Sequence, residues 1–265
     1  NPDANDRFHI ESAGLKIAKE GEAFDSLFNI DRDRFNATKA LLSYYVKNAD
    51  ATNSGILQAI AKELKLTAKN VNNTGAIESG LGIQVNAENV DNAGVITAQT
   101  VGVSAQGASS SSIKNTGNIT ALNQINLDAA KFIRNEKNIY TSLSGGVNLK
   151  STTIENIDSN DAKYVGLNTG TLDIQATDIK NSGSIQTNKL NITGSKTSIT
   201  NTANAIDPNK GIFVFDEIHA SDLGTVDNQG NLYIGIDSPA PNKSSMNIDE
   251  LKTSATGFTY FKGLN

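Results

Sequence analysis

Cysteine and tryptophan are absent from this chain of 265 residues, and only four residues are proline. A chain without Cys has no disulfide framework, no thiol nucleophile and no cysteine-ligated zinc site. Proline does not occur between positions 3 and 207, which favours hydrogen-bonded strands because Pro removes a backbone donor from a sheet. The two histidines, His9 and His219, are far apart in the sequence and belong to no recognisable catalytic motif.

Positive charge and long apolar runs are also scarce. The net charge is -5 and the pI is near 5.1, and without a basic run the chain lacks the electrostatic footprint of a nucleic-acid-binding protein. No apolar segment reaches the length of a membrane span. Charged residues make up 19%, too few for a chain kept disordered by self-repulsion. Small polar residues fill the composition instead, with 33 Asn and 22 Gly.

One pattern recurs along the chain: an Asn, a Gly two positions later, and an aliphatic residue close behind. We name this Asn the anchor of its repeat. Six anchors are followed by the Gly and three degenerate copies are not; in chain order the anchors are Asn53, Asn73, Asn92, Asn115, Asn135, Asn156, Asn181, Asn201 and Asn228. The steps between them are 20, 19, 23, 20, 21, 25, 20 and 27 residues. A period near twenty, with a few insertions, predicts a repeat architecture.

Alternating apolar residues accompany the anchors in a constant phase. Pairs such as Leu64 with Leu66, and Ile83 with Val85, lie nine and seven positions upstream, and an aliphatic residue such as Val90 lies two positions upstream. Short alternations separated by turns predict strands rather than helices. A unit of two or three short strands cannot bury its own apolar face, so we expect the units to stack into a parallel β-solenoid.

Stacking gives each repeated position an expected role. The Gly after an anchor is expected to supply a positive φ at a corner, and stacked anchors are expected to hydrogen-bond to one another along the axis. About nine coils at about 4.8 Å each give a rod roughly 40 Å long. A β-sandwich with Asn-Gly hairpins is the alternative, but it would not produce a fixed period with a fixed apolar phase. One buried column is predicted to contain Ile77, Ile96, Ile119 and Ile185.

The unit apolar-x-apolar-x-Ala followed by apolar-x-Asn-x-Gly-x-Ile resembles the filamentous haemagglutinin repeat. The best copies are residues 64–77, 83–96 and 172–185, and the resemblance covers roughly residues 44 to 235. That family consists of very long exoproteins of Gram-negative bacteria, which a dedicated outer-membrane partner exports by two-partner secretion. The resemblance therefore implies an all-β, right-handed parallel β-helix, secreted or at the cell surface, and a chain that is a fragment of a longer protein.

Three parts are predicted along the chain. Residues 1–43 are an N-terminal cap or flanking segment, residues 44–236 are the β-helix, and residues 237–265 are a C-terminal cap or a link to a further block. Caps are expected because the open end of a solenoid exposes unpaired strand edges. A partner-binding element is the alternative for the N-terminal segment.

Three interruptions break the period, at residues 104–112, 157–170 and 203–215. Insertions in repeat proteins lie on the surface and often form the contact face, although a neutral loop is the simpler alternative. The candidate receptor-binding residues in the second and third interruptions are Asp158, Asp161, Tyr164, Phe213 and Phe215. Their aromatic rings are typical interface anchors, and the two interruptions form one patch if they leave the rod on the same side. The competing interpretation packs Phe213 and Phe215 inward.

No catalytic, cofactor or metal site is predicted. Asp91, Glu155 and Asp227 each precede an anchor, but they are several coils apart and cannot form the paired carboxylates of a glycosidase. Residues 158–161 offer oxygen ligands but lack the Gly and the closing Glu of an EF-hand. A β-helical polysaccharide-acting enzyme is the alternative from another functional class.

The sequence thus predicts a non-enzymatic fragment of a filamentous exoprotein, acting as an adhesive shaft, a receptor-binding region, or both. A segment of a contact-dependent growth inhibition effector, which delivers a toxin to neighbouring bacteria, is the alternative within the same resemblance. The partners that the resemblance implies are the outer-membrane secretion protein and a receptor protein or glycan on a target cell. Neither nucleic acid nor a membrane span is expected, and the rod is expected to be monomeric.

Overall fold

The computed structural model describes the backbone of three strands before residue 50, and, with their side chains, residues 50–59, 63–159, 166–203, 207–236 and 244–262. These residues form twenty-five strands, and no helix occurs among them. The described part of the chain accordingly contains no helix with the length and apolar character that a membrane span requires.

The strands are short at the start of the chain and several become longer after residue 95. The first ten are β1 (His9–Ile10), β2 (Leu15–Lys16), β3 (Leu42–Tyr45), β4 (Ala51–Asn53), β5 (Ile56–Ala59), β6 (Leu64–Thr67), β7 (Asn70–Asn73), β8 (Ala76–Ser79), β9 (Gly82–Ala87) and β10 (Asn89–Asn92). The next seven are β11 (Val95–Ala105), β12 (Ser112–Asn115), β13 (Asn118–Ala129), β14 (Phe132–Asn135), β15 (Asn138–Thr141), β16 (Gly146–Lys150) and β17 (Thr153–Asn156). The last eight are β18 (Gly166–Gln175), β19 (Asp178–Asn181), β20 (Ser184–Ile192), β21 (Thr197–Asn201), β22 (Gly211–Asn228), β23 (Asn231–Ile234), β24 (Ser245–Thr253) and β25 (Phe258–Phe261).

Parallel pairing between successive coils builds the molecule. Strands β1 and β2 pair antiparallel with each other, whereas β3 to β25 all belong to one sheet of 23 strands. Each coil has a first face, represented by β6 and β9, a second face, represented by β7 and β10, and a third face, represented by β5 and β8. From β3 onward, every strand pairs in parallel with its counterpart in the adjacent coil, so the predicted parallel β-solenoid is confirmed.

Inward side chains form continuous apolar columns. On the third face, Ile77 lies opposite Ile96, which lies opposite Ile119, and the column continues through Ile139 and Leu167 to Ile185. All of these residues are at most 2% exposed, which confirms the predicted column. At about 25 cal/mol for each Å² of apolar surface buried, such columns are the main source of stability.

The nine anchors form a second kind of column, inside the second face. All of them are buried, with at most 3% of their surface exposed. Each Nδ2 donates to the Oδ1 of the next anchor at 2.7 to 2.9 Å, in eight consecutive hydrogen bonds. The same nitrogen also donates to backbone, as Asn115 does to the carbonyls of Gly117 and Asn138 at 3.0 and 3.1 Å. The predicted ladder is therefore confirmed, and it lies inside the solenoid rather than at an exposed corner.

The Gly after the anchor has a different role from the one expected. The glycines with positive φ in the described residues are Gly107, Gly166, Gly211 and Gly235, and none of these follows an anchor by two positions. A Cβ added at Gly94 would instead lie 1.9 Å from the carbonyl oxygen of Gly75 in the preceding coil. Glycine is needed because successive coils approach too closely here for any side chain, so the positive-φ prediction is wrong.

The number of coils and the C-terminal end also differ slightly from expectation. The solenoid has about eight turns rather than the nine coils expected. Where a C-terminal cap is expected, β24 and β25 pair in parallel with β22 and β23 and add a further coil. Thr253 stands opposite Asn228 in that coil, so the ladder ends there. Asn228 donates instead to the Thr259 hydroxyl at 2.8 Å.

Candidate functional site

The second and third interruptions contact each other on the same side of the rod. The Lys210 ammonium, in the third interruption, pairs with the Asp158 carboxylate, in the second, although 52 residues separate them. Both side chains are about four-fifths buried, at 20% and 18% exposed. The hydrogen bond to Asp158 and the negative charges of Asp158 and Asp207 raise the pKa of Lys210 above its usual value. The ammonium is therefore charged throughout the physiological range and joins the two interruptions.

A turn at residues 207–210 positions this lysine. The Lys210 N–H donates to the Asp207 carbonyl at 3.1 Å, and the Asn231 side chain of the next coil donates to the carbonyls of Asp207 and Lys210 at 3.2 and 3.0 Å. On the other side, the Asp158 N–H donates to the Ser182 hydroxyl at 3.2 Å. Both ends of the ion pair are thus held by the regular coils beneath them.

Two of the predicted receptor-binding residues, Asp161 and Tyr164, lie outside the described residues. Asp158 is described and serves as the partner of Lys210. Its carboxylate therefore contributes to the contact between the interruptions, and its role towards a receptor stays a prediction.

Phe213 and Phe215 belong to strand β22 on the third face, rather than to a loop. Ile212 and Val214 point inward, at 4% and 0% exposed, so the alternating phenylalanines lie on the outer side and are half-buried. The competing interpretation, with both phenylalanine rings packed inward, is wrong because the residues that alternate with them are the ones that face the core. Their contact with a receptor stays a prediction.

Sequence reasoning missed an aromatic stack on this outer side. The Phe213 ring stacks on Tyr233 at 5.5 Å between centroids, and Tyr233 contacts Phe258 and Tyr260 at 5.2 and 6.1 Å. Phe213, Tyr233 and Tyr260 are register partners in successive coils. The sequence does contain the pattern that predicts this stack, since each of these three aromatic residues comes one position after an inward position of the third face. Because the Phe213 and Tyr233 rings are nearly parallel, at 14°, they cover each other's faces and mainly stabilise the last coils.

A ridge of exposed leucines also escaped the sequence analysis. Leu81, Leu122 and Leu143 are 44%, 58% and 72% exposed. Leu81 and Leu143 follow the third-face strands β8 and β15, and Leu122 lies in β13 at the corner where this strand passes from the third face to the first. The Leu122 carbonyl accepts a hydrogen bond from the Ser142 hydroxyl at 2.8 Å, so Leu122 and Leu143 lie on adjacent coils. The three leucines occupy nearly the same position within their repeats, and this shared position is the sequence pattern that could have revealed the ridge.

The regular coils, in contrast, carry charges that neutralise one another. On the outer second face, Arg134 lies 2.7 Å from Glu136 and 3.7 Å from Glu155, and Glu155 also lies 3.6 Å from Lys180. Exposed pairs of this kind add little to stability. They leave this face without a strong local field that could select a charged partner.

Within the described residues, no group of three or more His, Asp or Glu side chains is placed to hold a metal ion. Comparisons with family models, with curated proteins and with solved structures found no match to this chain.

Proposed function

We propose that this chain is a segment of a secreted, cell-surface filamentous exoprotein, in which the solenoid is an adhesive shaft and the joined interruptions carry receptor specificity. The observation that carries the proposal is the contact between Lys210 and Asp158, which places two departures from the repeat side by side. A regular shaft presents nearly the same polar surface at every coil and offers little specificity. A partner that distinguishes one position on the rod needs such a departure.

The construction of the shaft also supports export as an extended chain. Each coil contacts only its neighbours, so folding can proceed one coil at a time. The Asn ladder and the apolar columns give every new coil a template of unpaired donors, acceptors and apolar side chains. No disulfide is required, since the chain has no Cys. These properties suit a protein that folds outside an outer membrane after passing through a secretion partner.

Binding of the purified chain to cells tests this function. We expect fluorescently labelled chain to bind bacterial or host cells saturably and to be displaced by excess unlabelled chain. A solenoid of similar length without the interruptions at 157–170 and 203–215 is the control. Binding no stronger than that control on every cell type would contradict an adhesive role. Shortening of a polysaccharide during the incubation would favour the enzymatic alternative.

A further inference from the structure

An open groove follows the corner between the first and second faces. It has a volume of about 460 Å³ and crosses five successive coils, from Gln106 to Ser195. Four coil steps of about 4.8 Å give it a length of about 19 Å. The groove exists because the first residue of the corner is small in each coil, as at Ala129, Ala176 and Gly194.

Polar and charged side chains form most of the walls of this groove. Asp128, Lys150 and Gln175 are register partners on one wall, and Thr152 and Thr177 lie on the other. Asp128 and Lys150 are the only charged lining residues, and their side chains lie 3.9 Å apart. The walls are therefore polar and carry no net charge.

One residue on the floor has an unsatisfied polar group. Ser151 occupies the small-residue position between Ala129 and Ala176 and is 9% exposed, and its hydroxyl oxygen has no hydrogen-bond partner in the described structure. Alanine fills the same position in the adjacent coils, so packing alone does not require a hydroxyl. An unpaired buried hydroxyl destabilises the folded state, and a hydrogen bond to a ligand in the groove would remove that cost.

We propose that this groove binds a linear, neutral, β-linked polysaccharide extended along the rod axis. Sugar hydroxyls donate and accept hydrogen bonds, as do the Gln175 amide and the Thr177 hydroxyl that line the groove. The Thr152 hydroxyl donates to the Ala130 carbonyl at 3.0 Å and is therefore an acceptor for a sugar. The balanced charge gives no advantage to a polyanion. The extended form of a β-linked glycan suits a straight groove of about 19 Å along the rod axis, so that successive sugars face successive coils. The inference rests on the proposed adhesive function and names a ligand class for it.

The groove binds without cleaving. Asp128 is the only carboxylate among its lining residues, and its charge is balanced by Lys150. Hydrolysis of a glycosidic bond ordinarily requires two carboxyl groups that flank the bond. A bound glycan is therefore expected to be recovered at its original length.

Calorimetric titration of the intact chain with cellohexaose, xylohexaose and chitohexaose tests the proposal, with a heparin hexasaccharide as the polyanionic comparison. We expect at least one neutral hexasaccharide to bind saturably, and Gln175→Ala to weaken its binding by about tenfold. Gln186→Ala, which removes an amide from the third face, is the matched control and should leave the affinity unchanged. Ser151→Ala should weaken binding yet raise the melting temperature of the free chain, because it removes the unpaired hydroxyl.

Three results would overturn the proposal: no binding of any neutral hexasaccharide, equal affinities of the wild-type and Gln175→Ala chains, or a preference for heparin. Cell attachment that persists without hexasaccharide binding would refute the groove and leave the adhesive function intact. Hexasaccharide binding without cell attachment would support the groove and contradict the adhesive function.

Discussion

The Asn92 side-chain nitrogen donates a 2.7 Å hydrogen bond to the Asn115 side-chain oxygen, although 23 residues separate the two anchors. The interruption at 104–112 lies between them, yet Val90 still stands opposite Ile113. The inward residues therefore fix the register between adjacent coils, and the extra residues lie on the surface. This arrangement lets the solenoid accept insertions without a change of register.

The anchor ladder predicts a large loss of stability when one central amide is removed. Asn115→Leu leaves the Asn92 donor and the Asn135 acceptor without their partner in the ladder. Each unsatisfied buried group costs about 1–3 kcal/mol, so the free energy of unfolding should fall by about 2–6 kcal/mol. Urea denaturation measures it. Asn126→Ala removes an exposed amide from the first face and should change stability by less than about 0.5 kcal/mol; equal losses in the two variants would refute the ladder's role.

Gly94 and Gly102 are glycine for two different reasons: at one the backbone of the adjacent coil is too close, and at the other a side chain that can move is close. At Gly94 a Cβ would meet backbone oxygen at 1.9 Å, whereas at Gly102 it would meet the end of the Gln84 side chain at 2.2 Å. Neither glycine has a positive φ. Gly94→Ala should therefore cost about 3 kcal/mol, the upper part of the range for overpacking, while Gly102→Ala should cost less than about 1 kcal/mol because Gln84 can turn away. Thermal unfolding of both variants tests this order. A Gly94→Ala chain that is more stable than the Gly102→Ala chain would contradict it.

The period of the sequence was sufficient to predict the sheet, the Ile96 column and the anchor ladder, because each depends only on which residues recur. It was not sufficient to predict why Gly94 is glycine. A positive φ and a close approach of the adjacent backbone both require glycine, and only the distance between the coils shows which of the two reasons applies. The coil formed by β24 and β25 was missed because Thr253 replaces the Asn that identifies every other coil.

The candidate site was harder to predict, since it depends on contacts between distant residues. The run from Ile212 to Phe215 is apolar at every position, so its alternation is hidden. Nothing in the sequence pairs Lys210 with Asp158. The sequence does not distinguish Ser151 from other small residues, because a groove forms only when the small positions of several coils are stacked.

The pairing of Lys210 predicts a pH dependence of stability on the alkaline side. Its pKa in the folded chain is raised above the ordinary lysine value of 10.5, chiefly by the hydrogen bond to Asp158. Its stabilising contribution is therefore fully present below pH 10.5 and is lost as the pH rises through the higher folded-state pKa. Lys210→Met should lower the melting temperature at neutral pH, and the difference from wild type should shrink as the pH rises above 10.5.

Lys131→Met is the control for that titration, because Lys131 is exposed. It should melt like the wild type across the whole range. A Lys210→Met difference that stays constant into the alkaline range would show that the ammonium charge does not stabilise the contact between the interruptions.

The aromatic stack predicts that Tyr233 stabilises the C-terminal coils. Tyr233→Ala removes contacts with Phe213 and Phe258, and each aromatic pair contributes about 0.5–1.5 kcal/mol beyond its buried area. The free energy of unfolding should fall by at least about 1–3 kcal/mol. Tyr140→Ala removes a ring that is 42% exposed and should cost less than about 1 kcal/mol. Hydrogen exchange should quicken in β23 and β25 of the first variant only; unchanged exchange there would contradict a stabilising stack.

Attachment of two shortened chains to target cells tests the proposed function most directly. In one chain both 157–170 and 203–215 are replaced by plain coil segments, and in the other only the exposed residues 107–110 of the first interruption are removed. Circular dichroism first verifies that each has folded. If the joined interruptions carry specificity, attachment of the first chain falls by about tenfold or more while the second attaches like the wild type. Undiminished attachment of the first chain would contradict the account and place the receptor-binding surface elsewhere on the molecule.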